Sequence, residues 1–384
     1  MLTSRDLGPN EGLIGKPGSR DLIGTPSLVL DLDLLDANIA AMAAHAAANR
    51  YSLRPPMKIH KSVEIARRQI AAGAVGLCCA TLSEAEILVA AGIPGVMLFT
   101  SIVTEPKLDR LSRLNAQTDD LIVVADGFEN VDQLGFAARR SGRRLRLMVD
   151  FEVGGGRTGV ADAKLAVELA RRIRATDGLE YVGLQAYVGN HQSIADYEER
   201  RIVSERLLAP LRRVVELLDR EGMPPRIVSG SGTGTHDIDA AMEIFTEIQA
   251  GSYVFMDVNY RRVEFRRGDP HPFSPSLYVC TTVISAAQPG FVITDAGAKE
   301  LDGIFGVVAP EILRGAPPGS LYSLVGDDMG RVDFAGELDG FGVGATVDVM
   351  PPHCYQTVVL YSVYHCVRGD VLVDIWPIDA LRGW

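Results

Sequence analysis

Two lysines and a histidine share the stretch Arg54-Pro55-Pro56-Met57-Lys58-Ile59-His60-Lys61-Ser62. An amine attacks a carbonyl only after losing its proton, and withdrawal from water lowers a lysine pKa enough to make that loss accessible. Tyr51-Ser52-Leu53 reads as extended chain, Pro55-Pro56 excludes a helix, and the run Val63 to Ile70 has helical spacing. Lys58 is therefore expected at a strand-to-helix switch, the position that lines the working face of a barrel of alternating strands and helices. Taken alone, Lys58 reads more readily as a solvated loop cation, like Lys61. The rest of the chain has to separate the two readings.

Two Gly-rich segments bear on the choice. Ser229-Gly230-Ser231-Gly232-Thr233-Gly234-Thr235 follows an apolar strand pattern, and Gln249-Ala250-Gly251-Ser252-Tyr253 closes the next one. Either could be an ordinary tight turn. Together, after the last two strands of a barrel, they are placed to offer backbone N–H groups and hydroxyls to a phosphate. An early strand-end lysine combined with a late phosphate cup is an arrangement suited to pyridoxal phosphate.

The elements that would position these groups alternate regularly. Ser27 to Leu32 is a short buried strand, and the Ala-rich stretch Leu34 to Ala48 follows it as a helix. Strands are then predicted near 52–58, 76–80, 95–99, 120–125, 145–151, 180–187, 225–229 and 246–250. Helices are predicted near 62–73, 82–92, 105–116, 128–141, 162–176, 195–221 and 236–243. Continuous apolar strands at this spacing fit a parallel sheet covered by helices, and eight of them after the first imply closure into a (β/α)8 TIM-like barrel. An open doubly wound sheet is the alternative. Beyond residue 260 the texture changes to short runs rich in Val, Tyr and Thr, such as Leu277 to Ile284 and Thr357 to Tyr364, so a C-terminal β-rich domain is expected. The organisation is then a lead-in over 1–24, a barrel over 25–265 and a β domain over 266–384, with a linker at 264–275.

Composition narrows the partners. The chain has 384 residues, 47% hydrophobic and 23% charged, enough for two cores, and a net charge of -11 opposes binding to nucleic acid or anionic membrane. A small-molecule substrate is expected. Five cysteines without framework spacing point to a reducing cytoplasm, and neither a basic leader with an apolar segment nor a membrane-length apolar run is present.

In its motifs the chain resembles the alanine-racemase-like (fold type III) pyridoxal-phosphate enzymes, and within them the D-threonine aldolase and D-serine dehydratase branch. Arg54-Pro55 with Lys58, His60 and Lys61 is similar to the branch motif whose first lysine bonds the cofactor. Gly156-Arg157-Thr158-Gly159 resembles the segment whose arginine faces the cofactor's phenolic oxygen, and Gln185-Ala186-Tyr187 the strand that sets a residue against its ring. The resemblance places Ser231, Gly232, Thr233, Gly251, Ser252 and Tyr253 at the phosphate and Gln249 near the pyridine nitrogen. Pro351-Pro352-His353-Cys354 and Trp376-Pro377-Ile378 look more like the aldolases than the dehydratases.

Departures stand beside these matches. The aldolase pattern carries, after its histidine, an aspartate that helps to bind a divalent cation, and Tyr355 stands in its place. Val359 stands where an asparagine is usual, Pro56, Asn190 and Ser193 where histidines are common, and Met329 where one is typical. A phenol with pKa near 10 is a poor anchor for a hard cation, so His353 remains as a doubtful metal ligand unless Asp348 or another carboxylate completes the site. His191 and Tyr355 are then the candidates, with His353, for proton transfer. His60 is expected to support Lys58, and His45, His236, His271 and His365 to be structural. The resemblance implies a homodimeric pyridoxal-phosphate carbon-carbon lyase that splits a D-β-hydroxy-α-amino acid into glycine and an aldehyde or runs in reverse. The alternatives are dehydration, racemisation, transamination or another electrophile at the same carbanion, or cofactor binding without turnover.

Overall fold

The computed structural model describes residues 7–266, 271–301, 308–336 and 340–381. They gather into two compact units. One comprises Ala40–Gly251 and the short stretch after Val263; the other comprises the chain up to Ile39, Ser252–Arg262 and His271–Leu381.

The first unit is the expected barrel. Its strands are β2 (Ser52–Leu53), β3 (Cys78–Cys79), β4 (Met97–Leu98), β5 (Ile122–Ala125), β6 (Leu145–Asp150), β7 (Leu179–Ala186), β8 (Ile227–Gly230) and β9 (Glu247–Ile248). They form one 8-stranded sheet in the order β2-β9-β8-β7-β6-β5-β4-β3, every pair parallel. A parallel bridge between Pro56 and Cys78 joins its two ends and closes the ring. Cys78, Met97, Ile122, Val124, Met148 and Val182 pack as one buried cluster, which explains the continuous apolar strands. Helices alternate with the strands: Val63–Ala71, Leu82–Ala90, Glu105–Asn115, Phe128–Ser141, Ala163–Ala175, Tyr197–Arg220 and His236–Ala241. The second of these starts in a capping box, Thr81 accepting from the Glu84 N–H while Glu84 reaches back.

Beside the Pro56 bridge, Arg54 makes a bidentate pair with Glu247, Nε to Oε1 at 2.8 Å and Nη2 to Oε2 at 2.9 Å, both side chains buried. Its third nitrogen donates to the Gly95 carbonyl. Net stabilisation from such a pair is small, but stranding one member costs about 3–5 kcal/mol. The pair therefore holds the register of β2 against β9, just before the Lys58 segment.

The second unit is an antiparallel-rich sheet built from β10 (Leu277–Ser285), β11 (Phe291–Thr294), β12 (Glu311–Arg314), β13 (Leu321–Leu324), β14 (Gly330–Asp333), β15 (Thr346–Met350), β16 (Val363–Arg368) and β17 (Val371–Pro377). A ninth strand, β1 (Ser27–Asp31), completes it. Its sequence reads as the opening strand of the barrel domain, yet it runs antiparallel to β10 (Ser27 opposite Cys280) and parallel to β16 (Val29 opposite His365). Partner choice is a long-range property that the pattern SLVLD does not encode. Residues 7–24 are also more ordered than their Gly- and Pro-rich composition suggests. Gly15 N–H donates to Leu372 O at 2.8 Å, and Ser19 Oγ accepts from Leu372 N–H at 2.8 Å. Of the expected linker 264–275, residues 267–270 lie outside the described residues. Among the described residues no helix is long and apolar enough to cross a membrane.

Candidate active site

Lys58 lies in a 3-10 turn, Met57–Ile59, between β2 and the helix beginning at Val63, where Pro56 is extended (φ -79°, ψ 122°) and bars an earlier helical start. Its Nζ stands 5.3 Å from the centroid of the Phe99 ring. Burial pushes the Lys58 pKa down, and the positive charges of Arg157 and Lys61 act in the same direction. Lys61 is different. Its Nζ lies 2.8 Å from Glu84 Oε1, both groups buried, and the other Glu84 oxygen accepts from Ala80 N–H at 2.8 Å. The two lysines that sequence alone reads alike are thus separated by their surroundings: Lys61 is a fixed structural cation, and Lys58 carries the depressed pKa. His60 supports the turn, its Nδ1 accepting from Ser62 N–H at 3.1 Å, and burial lowers its pKa to about 3.

Arg157 comes from the loop after β6. Glu152 gathers that loop, its Oε1 accepting from Gly154 and Gly156 N–H at 2.8 Å each, and the Arg157 guanidinium then lies 5.0 Å from the centroid of the Tyr187 ring. Thr158 Oγ1 donates to Asp150 Oδ2 at 2.6 Å, and burial raises the Asp150 pKa. From Asp150 a polar row crosses the strand ends. Asp150 Oδ1 accepts from Gln185 Nε2 at 3.2 Å, Gln185 Oε1 accepts from Gln249 Nε2 at 3.3 Å, and Gln249 Nε2 also donates to Ser229 Oγ at 2.9 Å.

Both Gly-rich segments are tightly packed. Ser231 holds a left-handed φ of 64°, a strained choice for a residue with a Cβ. A Cβ on Gly232 would meet Gln192 Oε1 at 2.8 Å, and one on Gly234 would meet the Gln192 carbonyl oxygen at 1.9 Å. Gln192 Nε2 in turn donates to Thr235 Oγ1 at 2.8 Å, and Thr235 Oγ1 donates to Asp239 Oδ2 at 2.5 Å. At Gly251 a Cβ would meet Pro56 Cγ at 2.6 Å and Ile59 Cγ1 at 2.7 Å. This glycine therefore lets its turn rest on the turn that carries Lys58. Ser252 and Tyr253 begin the other unit, in the 3-10 turn Ser252–Val254, where Tyr253 is buried 5.7 Å from the Phe273 ring.

His191 follows β7 and is 3% exposed, with neither ring nitrogen hydrogen-bonded among the described residues. Burial, with Arg200 adding to it, lowers its pKa to about 4, so the ring is neutral at physiological pH.

His353, Cys354 and Tyr355 belong to the second unit. The ligand atoms of Asp257, His353 and Cys354 lie within 4.8 Å of one another, and the Tyr355 ring stands edge-on to His353 at 5.8 Å. Asp257 is already committed, Oδ1 accepting from Tyr260 N–H at 2.9 Å and Oδ2 from Cys354 N–H at 3.0 Å. Burial, reinforced by the Asp257 carboxylate, pushes the Cys354 thiol well above its ordinary range and keeps it protonated. With a phenol at 355, this donor set suits a hydrogen-bonded cap better than a hard divalent cation. Asp348 is not the missing ligand, because it pairs with Arg20 at 3.0 Å and Arg314 at 2.8 Å. Nδ1 of His353 is buried with no hydrogen-bond partner among the described residues.

The sequence reading missed Glu152, Gln192 and Asp257 and the part played by Asp150. Asp150 carried a usable signal, being a carboxylate that follows the apolar run Leu147-Met148-Val149 at the end of a strand. Asp257, separated by 97 positions from Cys354, carried none.

Comparison with known proteins agrees with the fold. The alanine racemase N-terminal domain family matches residues 30–259, and the serine dehydratase domain family matches residues 276–367. A D-threonine aldolase of Arthrobacter sp is 38% identical over 370 residues, 96% of this chain and 95% of the relative. A 3-hydroxy-D-aspartate aldolase of Paracoccus denitrificans is 33% identical over 371 residues, 94% of this chain and 92% of the relative. The solved structure of a D-threonine aldolase from Filomicrobium marinum superposes with a TM-score of 0.89 at 32% identity, covering 94% of this chain and 96% of that one. With barrel, β domain and near-full-length matches in agreement, the chain belongs to the alanine-racemase-like enzymes and, within them, to the lyases of the D-threonine aldolase and D-serine dehydratase branch.

Proposed function

We propose that this enzyme uses pyridoxal phosphate to cleave, or in reverse to form, the Cα–Cβ bond of a D-configured β-hydroxy-α-amino acid, with glycine and an aldehyde as the other side of the reaction. The observation that carries the reading is Lys58, a desolvated amine of depressed pKa on a turn at the barrel's strand ends. The residues present fit the cofactor. Lys58 would bond its carbonyl carbon, and Arg157 over Tyr187 would face its phenolic oxygen. The N–H groups of Gly232 and Gly251, which donate to no other described residue, would take the phosphate with Ser231 and Thr233. Gln249 would meet the pyridine nitrogen. When bound, pyridoxal phosphate supplies a conjugated, electron-withdrawing ring that accepts the electron pair released at Cα.

The protein's own groups do the rest. Burial, with Arg157 on the Glu152-gathered loop acting in the same direction, lowers the Lys58 pKa and so raises the share of amine that can act as a nucleophile. Cleavage also requires an acceptor for the β-hydroxyl proton. Among the described residues His191 is neutral with both nitrogens unpartnered and His353 has an unpartnered Nδ1, while Tyr355 is the third candidate on the motif. A homodimer in the cytoplasm accompanies the family resemblance, and light scattering of the purified protein checks the dimer.

The match of residues 276–367 to the serine dehydratase domain favours one second reading, loss of the β-hydroxyl instead of the Cα–Cβ bond. The cofactor-loaded enzyme should be incubated with D-threonine, L-threonine and D-3-hydroxyaspartate and the products identified. Glycine and the matching aldehyde from a D-substrate support the aldolase. A 2-keto acid with ammonia would replace it by the dehydratase, and absence of turnover on every D-β-hydroxy-α-amino acid would sink both.

A further inference from the structure

The hydrogen bonds across the barrel's strand ends run in one direction. Asp150 is opposite Gln185, and Gln185 opposite Ser229, so three adjacent strands place these residues at one level. Gln185 Nε2 lies 3.2 Å from the backbone carbonyl oxygen of Phe99 and 3.2 Å from Asp150 Oδ1. A peptide carbonyl can only accept, so the Gln185 atom facing it is the nitrogen, and the Gln185 oxygen is left to face Gln249. That oxygen accepts from Gln249 Nε2 at 3.3 Å, and the second proton of the same nitrogen goes to Ser229 Oγ at 2.9 Å. Both donors of the Gln249 amide are thereby used, and each of its hydrogen bonds among the described residues is made through Nε2, none through Oε1. Gln185, Ser229 and Gln249 are all buried, so water does not compete freely for these bonds.

We infer that Gln185 is a positioning residue that locks the Gln249 amide with only its carbonyl oxygen left to offer, so that Gln249 accepts a hydrogen bond from, and thereby selects, a protonated pyridine nitrogen. The inference rests on the pyridoxal-phosphate reading and on Gln249 lying beside that nitrogen. A ring nitrogen without its proton is itself an acceptor and would meet the Gln249 oxygen lone pair to lone pair. The protonated ring withdraws electrons more strongly, which suits a reaction that leaves an electron pair at Cα.

The experiment loads the full-length enzyme with pyridoxal phosphate labelled with 15N in the ring and reads the nitrogen chemical shift at neutral pH. Wild type should give the shift of a protonated pyridine. Gln185→Leu, which frees the Gln249 amide to turn, should move the shift toward the unprotonated position and lower kcat at least tenfold with little change in KM. Gln185→Leu combined with Gln249→Glu should recover the protonated shift, because a carboxylate accepts whichever way it is turned. An unprotonated nitrogen in wild type overturns the inference with no variant needed, as does a Gln185→Leu enzyme that folds and keeps the wild-type shift. Borohydride treatment of the same wild-type sample separates the two levels. Failure to trap labelled cofactor on Lys58 refutes the cofactor assignment and this inference with it, whereas cofactor trapped on Lys58 with an unprotonated ring refutes this inference alone.

Discussion

Asp239 is the buried acid behind the first Gly-rich loop, and replacing it by asparagine should change how stability depends on pH. Its Oδ2 accepts from Thr235 Oγ1 at 2.5 Å, and Thr235 holds Gln192, on which Gly232 and Gly234 rest. Burial is the main force on its pKa and raises it to about 7, with Asp237 adding to the rise and Ser231, Thr235 and Arg200 opposing it. An acid whose pKa is higher folded than unfolded holds its proton more tightly in the native state. Its contribution is complete below the unfolded value near 4 and is lost as pH climbs to about 7. At about 1.4 kcal/mol per unit, three units give a ceiling of roughly 4 kcal/mol. Neighbouring His236, lowered to about 4 chiefly by burial, pushes stability the opposite way as pH rises through the same window, so the difference between variant and wild type is the quantity to measure. Asparagine mimics the protonated acid at every pH. Urea unfolding of both forms should give near-equal stabilities around pH 4 and an Asp239→Asn protein more stable by about 1–4 kcal/mol around pH 8. A stability difference that does not change with pH would refute the reasoning.

Gly251→Val should place a Cβ against Pro56 Cγ and Ile59 Cγ1, at 2.6 and 2.7 Å in the present backbone, and shift the turn that carries Lys58. About 1–3 kcal/mol of stability should be lost, with a larger drop in cofactor retention, as followed by urea unfolding and by absorbance after dialysis. Unchanged absorbance with an intact fold would detach this turn from the site. At the second cluster, wild-type activity should resist chelation, while Tyr355→Asp should create divalent-cation dependence and raise aldol cleavage, because a carboxylate beside His353 suits a hard cation. Metal analysis with cleavage rates checks this, and a stoichiometric metal in wild type that is lost on Asp257→Asn would show that Asp257, His353 and Cys354 form a working site.

Much of the barrel could be read ahead of the structure because each unit repeats one local rule, an apolar strand of a few residues followed by a helix of amphipathic or Ala-rich spacing. The helix Phe128–Ser141 matches its expected span, and Tyr197–Arg220 lies within two residues of its own at either end. The placement of β1 could not be read in the same way, since its ladders reach Cys280 and His365 and nothing local distinguishes it from a barrel strand. The place of Lys58 on a turn between strand and helix was legible from its punctuation by Pro55-Pro56 and its closeness to the following helix. What sets it apart from Lys61 was not legible, because the Glu84 partner arrives from another helix. The glycines misled in a useful way: Gly251 marks a close approach, as a glycine after a strand suggests, but what approaches is the Pro56 and Ile59 side chains. The direction of the Gln185 and Gln249 amides needs three dimensions, because a backbone carbonyl at Phe99 decides it.

The most direct test of the account is where the cofactor is bonded. Purified enzyme with pyridoxal phosphate should show a long-wavelength absorbance that borohydride abolishes, and peptide mapping of the reduced protein should find the cofactor on Lys58. Lys58→Ala should lose both the absorbance and D-threonine cleavage, since no amine already committed to an ion pair, such as Lys61, can take its place. Cofactor mapped to Lys61 or to any other residue, or D-specific cleavage retained by Lys58→Ala, would contradict the account.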